Sequence, residues 1–274
     1  MTAQRVVSRT AALLVLVVLL AHCRDEPTDF TWQRIQDQGT IQVGMDANWI
    51  PFEYIDGTGR LVGFDVDLAQ ELGQRMELDL NLVANLSFDG LYDALTAGQV
   101  DAVISAVVVD MGRSADFAFS SPYFDAGQVM VAPAANTDTN SMKDLQGRVL
   151  AVELGSESDS VARRWVRRVL DLSLLHTDSA ENALIAVAQN RADAAIADRA
   201  TALTILKRLR NVDTSAQQVG SRDLRMIDRP ITDEQYAIVV RRDSQLLLNS
   251  INDALSSMRH DGTLQALEEK WLGP

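Results

Sequence analysis

A chain of 274 residues that is 47% hydrophobic and 23% charged has enough apolar surface for one large core or two medium ones. Its formal net charge of −13 repels nucleic acid and anionic headgroups and favours cationic solutes. The single cysteine excludes an internal disulfide, and His22, His176 and His260 share no metal-ligand spacing, so neither a metal nor a cofactor is expected.

The first 22 residues stand apart from the rest. Arg5 and Arg9 precede AALLVLVVLLA (11–21), an apolar run shorter than a membrane span requires. A basic flank followed by a short apolar run reads as a secretory signal peptide over residues 1–22. Further on, IQVGM (41–45) alternates as a half-buried strand and runs into the loop DANWIPFEY (46–54). FDVDLAQELGQRM (64–76) sets Phe64, Leu68, Leu72 and Met76 on one helical face. Asp65 and Asp67 fall in its first turn, where the helix dipole favours negative charge; they read as helix-start charges rather than metal ligands. LDLNLV (78–83) is a strand, FDGLYDALTAG (88–98) a short helix, and DAVISAVVV (101–109) a continuous strand buried on both faces. The order β-α-β-α-β predicts a parallel sheet with crossover helices.

A second run repeats the logic. Strands are expected at 128–132, 148–153, 172–176 and 194–197. A helix carries Val161, Trp165 and Val169 as one stripe, with the arginines of RRWVRR (163–168) on a solvated face, and another helix covers 181–190. A strand at 236–240 follows. Two helices close the chain, one with Leu247, Ile251, Leu255 and Met258, the other with Leu264, Leu267 and Trp271. The polar stretch 135–141 is the expected break. LTAGQVDAVIS (95–105) and VAQNRADAAIA (187–197) echo one another: a helix end, then Gly98 or Asn190, both tolerant of a left-handed cap, then Asp-Ala-x-Ile. One βαβ element used twice implies two α/β lobes.

In open parallel sheets, ligands bind beyond the carboxyl ends of the strands. Asp46 follows the first strand, Ser105 lies late in the 101–109 strand with Arg113 just beyond, Glu153 and Ser156 follow 148–152, and Asp198 follows 194–197. Trp49, Phe52 and Phe88 add flat apolar surface, so the set has the makings of a small-molecule pocket. An arginine presents a fork of donors to a carboxylate and an aspartate can hold an ammonium. Arg113 with Asp198 therefore reads as an amino-acid clamp, against the plainer reading of solvated surface charges.

Taken in order, IQVGMDANWIPFEY (41–54), GRLVGFDVDLAQELG (59–73), FDGLYDALTAGQVDAVIS (88–105), Arg113 with FAFSSPY (117–123), DLQGRVLAVELGS (144–156), RADAAIAD (191–198) and HDGTLQALEEKWLG (260–273) resemble the family-3 extracellular solute-binding proteins of polar amino-acid ABC transporters. The resemblance implies a two-lobed α/β periplasmic-binding-protein fold of type II. Lobe 1 would be residues 30–126 and 232–274, lobe 2 residues 127–231, joined by two crossing strands and closing on the ligand like a clamshell. It implies a monomeric binding protein, not an enzyme, that hands an amino acid to the membrane subunits of a permease. By the same resemblance, Trp49 and Phe88 sandwich the ligand's side chain, Asp46 and Glu153 touch that side chain, and Ser105 lines the backbone site. Arg113 and Ser156 take the carboxylate and Asp198 the ammonium. Phe52 and Tyr54 read as core, and Ser120–Tyr123 as the approach to the hinge. Two desolvated carboxylates near a side chain ask for a cation, which favours arginine, lysine or ornithine; a Glu153 turned to water would leave a neutral polar ligand.

Two positions depart from the family pattern. Val108 replaces a hydroxyl residue that accepts from the ammonium, and Asp110-Met111-Gly112 replace its Thr-x-Glu. Both open the door to a modified or N-substituted amino acid. LLAHC (19–23) resembles a bacterial lipobox, with His22 where a small residue is usual, and implies a lipidated Cys23, a tether over 23–29 and a place in the periplasm or cell envelope. Two rivals stay open. One is a periplasmic cyclohexadienyl dehydratase on the same fold, with Glu153 or Asp46 as the general acid. The other is a free-standing sensor for a receptor.

Overall fold

The computed structural model describes residues 29–211, 223–227 and 229–273; the leader, Cys23 and most of the expected tether lie outside them. The described residues begin at Asp29, the last residue of the expected tether. Its side chain is buried, one oxygen accepting from the Trp32 N–H at 2.9 Å and the other from the Leu246 N–H at 2.8 Å. It thereby caps α1 (Phe30–Gln38) and ties it to the far end of the chain. The sequence pattern marks no element here, because Phe30, Trp32 and Ile35 are the apolar residues of an otherwise polar run and form no clear stripe.

Two five-stranded sheets share no strand. The first has the order β5-β1-β6-β15-β7: β1 (Thr40–Gly44), β5 (Asp79–Val83), β6 (Ala102–Val103), β7 (Phe117–Phe119) and β15 (Val239–Arg241). β1 runs parallel to β5, Thr40 opposite Asp79, and parallel to β6, Val43 opposite Ala102; β15 is antiparallel to β6 and β7. The second has the order β11-β10-β12-β9-β13: β9 (Gln128–Pro133), β10 (Val149–Glu153), β11 (Ser173–Thr177), β12 (Ala194–Asp198) and β13 (Leu224–Met226). Here β10 is parallel to β11 and β12, and β9 is antiparallel to β12 and β13. A two-strand antiparallel ribbon, β8 (Phe124–Asp125) with β14 (Gln235–Tyr236), sits where the chain passes between the sheets. β2 (Asn48–Trp49), β3 (Glu53–Ile55) and β4 (Leu61–Val62) form a small antiparallel sheet.

Helices cover the sheets: α2 (Phe64–Arg75), α3 (Leu91–Thr96), α4 (Glu157–Val166), α5 (Ala180–Ala188), α6 (Arg199–Asn211), α7 (Gln245–His260) and α8 (Thr263–Trp271). α2 starts hard against the hairpin. At Gly63 (φ 145°) a Cβ would sit 2.0 Å from the Phe52 carbonyl oxygen, so only glycine lets the helix N-terminus dock there. Phe52 itself is fully buried, edge-on to Phe64, Phe124 and Tyr236, worth roughly 2–3 kcal/mol of apolar burial.

Four expectations change. The 101–109 run is a strand only at 102–103, because Ala106 takes a left-handed conformation (φ 46°) and turns the chain away. The 236–240 run is split between β14 and β15. The polar stretch 135–141 is no break: β9 before it and Met142 and Leu145 after it pack in one core with Met130 and Leu150. The helix Arg199–Asn211 was not foreseen, and it serves both halves: Ala200 and Leu203 enter the first core, Ala202, Ile205 and Leu206 the second.

Candidate functional site

Several large apolar side chains left in water lie in the segments that leave parallel strands. Trp49 (56% exposed), Phe88 (48%) and Val108 (42%) follow β1, β5 and β6, and the exposed Leu154 follows β10. Exposed aromatics beyond the carboxyl ends of strands mark a ligand surface.

The first half builds its wall from β1 outward. Asp46 bridges to Asn85, and its N–H donates to the Ser105 hydroxyl at 3.0 Å. The Asn48 amide donates to its carboxylate at 2.6 Å. Trp49 then sits at the turn of the β2–β3 hairpin, with the Phe52 N–H on its carbonyl at 2.7 Å. Ser105 is buried, and its hydroxyl donates to Glu53 Oε1 at 2.6 Å.

Behind that wall lies a feature that sequence reasoning missed. Glu53 and Asp65 are both fully buried. Asp65 Oδ2 accepts from the Ala106 N–H at 2.7 Å and the Tyr123 hydroxyl at 2.9 Å. Burial first, then the charge of Asp65, pushes Glu53 from 4.5 up to about 10; burial also raises Asp65. Asp65 does stand in the first turn of α2, as expected, but buried rather than solvated. Asp67 is the one left at the surface, bonded to Lys270 and to the Trp271 indole. A sign was present in the sequence: both acids lie inside apolar runs, PFEYI and GFDVDL.

The second half spends its candidates on helix N-termini. The Ser156 hydroxyl donates to the Glu153 carbonyl at 2.8 Å and accepts from the Asp159 N–H at 3.2 Å, capping α4. Glu153 Oε2 accepts from the Ala180 N–H at 3.1 Å, at the start of α5. Asp198 Oδ1 accepts from the Thr201 N–H at 2.8 Å, at the start of α6. Nearby, Arg163 holds Asp159 down to about 2, with His176 adding a bond at 3.1 Å.

The structure thus brings Asp46 to Ser105 and Glu153 to Ser156. Among the described residues no hydrogen bond or ion pair joins these pairs to one another, to Arg113 or to Asp198. Arg113 lies with its guanidinium 4.2 Å from the centre of the Tyr92 ring and 3.4 Å from Asp110. It lines a cavity of about 690 Å³ with Tyr92, Asp116, Phe117 and Arg242, which none of the other candidates reaches. Among the described residues no cluster of three or more acidic, histidine or cysteine side chains could hold a metal ion, and no helix is long and apolar enough to cross a membrane.

Comparison with known proteins gives this geometry relatives. The model of the bacterial extracellular solute-binding proteins, family 3, matches residues 41–274. The L-cystine-binding protein TcyJ of Escherichia coli (strain K12) is 29% identical over 241 residues, 88% of this chain and 85% of that protein. The ABC transporter arginine-binding protein 1 of the same strain is 30% identical over 236 residues, 84% of this chain and 90% of that protein. Among solved structures, an ancestral cationic amino acid solute-binding protein matches with a TM-score of 0.64 at 31% identity, covering 88% of this chain and 99% of its own. An ancestral cyclohexadienyl dehydratase matches with a TM-score of 0.73 at 25% identity, covering 92% and 100%.

Proposed function

The chain belongs to the bacterial extracellular solute-binding proteins of family 3, with their periplasmic-binding-protein fold of type II, and from that premise we propose that it captures an amino acid with a cationic side chain for an ABC importer. Its relatives are amino-acid-binding proteins of ABC transporters, two of them named for arginine or for lysine, arginine and ornithine. The observation that carries the proposal is the content of the strand ends. Asp46 follows β1, with exposed Trp49 and Phe88 after β1 and β5, Glu153 and Asp198 end β10 and β12, and Arg113 is the one cation among these candidates. Aromatic faces and carboxylates suit a cation, and one arginine suits one carboxylate.

In this reading Asp198 takes the ammonium and the Ser156 turn meets the carboxylate. Arg113 leaves the Tyr92 face to join it. Ligand on one half favours the closed arrangement only by the extra contacts that the other half adds. Glu153 already accepts from the Ala180 N–H and Asp46 from the Asn48 amide, so each presents a cation its other carboxyl oxygen. The exposed Val108 offers a ligand nitrogen no acceptor, which extends the candidates to N-substituted amines. Cys23 anchors the exported protein through lipid, and the cleft performs no chemistry.

The test is a thermal-shift screen of ligand-stripped protein against the common amino acids, L-cystine, ornithine, opines and prephenate. A ligand at 100 times its Kd stabilises the fold by about 2.7 kcal/mol. Arginine, lysine or ornithine should raise Tm, and Arg113→Ala and Asp198→Ala should abolish the rise. A response to L-cystine or neutral amino acids alone discards the cationic preference. Turnover of prephenate or arogenate would make the protein an enzyme instead.

A further inference from the structure

Glu53 and Asp65 each keep one carboxyl oxygen, Glu53 Oε2 and Asp65 Oδ1, buried and without a hydrogen-bond donor among the described residues. The other oxygens are satisfied, Glu53 Oε1 by Ser105, and Asp65 Oδ2 by Ala106 and Tyr123. Among the described residues neither acid forms an ion pair with arginine, lysine or histidine. The titratable groups that face the pair are themselves acidic: Asp46 from the loop after β1, Tyr123 from the segment before β8, and Tyr236 from β14. Two adjacent buried carboxylates with no counter-charge cannot both stay ionised. The two carboxyls lie in side-chain hydrogen-bond contact with one another, and a single proton between them satisfies that contact.

We infer that Glu53 and Asp65 share one proton through neutral pH, and that the proton-bridged pair positions the cleft wall by fixing the Ser105–Ala106 backbone and, through the Ser105 hydroxyl, Asp46. Each link is a bond already given. Asp65 holds the N–H of Ala106, the left-handed residue that follows β6, and Glu53 receives the Ser105 hydroxyl that in turn receives the Asp46 N–H. The positioning half rests on Asp46 and Ser105 being cleft residues; the proton itself does not.

The sign of the pH dependence follows from linkage. Burial, then the charge of Asp65, raises Glu53 well above its value in the unfolded chain, so in the window between the two the folded protein holds the extra proton. Stability is greatest at the acid end of that window and falls as pH rises through it.

Three measurements test the inference without any ligand. Infrared spectroscopy at pH 8 should show the carbonyl band of a protonated carboxylic acid in the wild type and lose it in Glu53→Gln. The wild-type band decides the question of the proton even if the variant fails to fold. Urea unfolding across pH 6–9 should show the wild-type folding constant falling relative to Glu53→Gln by up to about tenfold per pH unit, the slope of one proton. Hydrogen exchange at the Ala106 amide should stay slow in Glu53→Gln, which keeps a neutral donor to Asp65, and become fast in Glu53→Ala. Absence of the acid band, or parallel pH profiles, overturns the shared proton. So does a wild type at pH 8 stabilised by sodium or calcium in a way that Glu53→Gln is not, because a cation would then bridge the carboxylates. Slow Ala106 exchange in a folded Glu53→Ala overturns the positioning role alone. Failure of the amino-acid screen leaves all three readouts unchanged.

Discussion

The helix–strand joints at 95–105 and 187–197 are one device used in two settings. In each, a left-handed residue ends the helix, Gly98 at φ 67° or Asn190 at φ 62°. The next N–H then folds back onto the helix, Gln99 to the Ala94 carbonyl at 2.9 Å and Arg191 to the Ala186 carbonyl at 2.8 Å. An aspartate then clips the neighbouring strand twice. Asp101 donates its N–H to the Gln42 carbonyl and accepts from the Gln42 N–H; Asp193 does the same with Val149. The settings differ in what surrounds the clip. The side chain of Asp101 is 1% exposed, bound by Arg34 and 3.8 Å from Arg241, whereas that of Asp193 is 38% exposed with Arg148 at 3.4 Å. Downstream the two diverge further. β6 ends after two residues, turned aside at Ala106 over a buried acid pair, while β12 runs on to Asp198 at the head of α6. The shared motif sets how a strand enters its sheet; the residues after it decide what the strand presents to a ligand.

The widest separation between the joints should appear when the clip is removed. Asp101→Ala takes from Arg34 its charged partner, leaving it the Gln38 amide oxygen, and leaves a strand N–H without its acceptor, a loss of about 3 kcal/mol, at the lower end for a broken buried pair because Arg34 is partly solvated. Arg241 keeps the Leu95 and Val100 carbonyls and the Thr31 hydroxyl. Asp193→Ala removes a solvated pair and one backbone bond, a loss of about 1 kcal/mol. Urea midpoints of the two variants measure the contrast; equal losses would mean that burial of Asp101 adds nothing and that the two joints are energetically the same.

How much of this was legible before the fold was known depends on distance along the chain. Gly98 and Asn190 announce their caps through local backbone preference, and the periodic faces of α2, α4, α5 and α7 follow from residues within one element. The two- and three-residue strands β2, β3, β4, β7 and β8 carry no such period; they exist because a partner strand lies alongside. Asp65 misled for a related reason. A carboxylate in a first helical turn is ordinary, and only Glu53 from β3, Ala106 after β6 and Tyr123 before β8, none of them local to it, make it a buried one. At the candidate site, strand order alone pointed to Asp46, Ser105, Glu153, Ser156 and Asp198. It gave no hint that the second-half residues also cap helices, or that Arg113 rests on Tyr92, since both depend on side-chain geometry across elements. The amphipathic pattern of Arg199–Asn211 was available, but its apolar residues serve two cores and so lack a single clean stripe.

The mildest test exchanges the two caps. At Gly98 a Cβ meets nothing within 4 Å, so any cost of a side chain there is conformational rather than steric crowding from neighbours. Alanine pays for a left-handed backbone with about 1 kcal/mol, so Gly98→Ala and Asn190→Ala should each lose that much. Asparagine tolerates this region, and glycine enters it freely. Gly98→Asn and Asn190→Gly should therefore each change stability by less than about 0.5 kcal/mol, the glycine variant losing part of its gain to a more flexible unfolded chain. Urea midpoints read all four variants. If Gly98→Asn were as costly as Gly98→Ala, backbone handedness would not be the common element of the two joints, and their likeness would reduce to the aspartate clip.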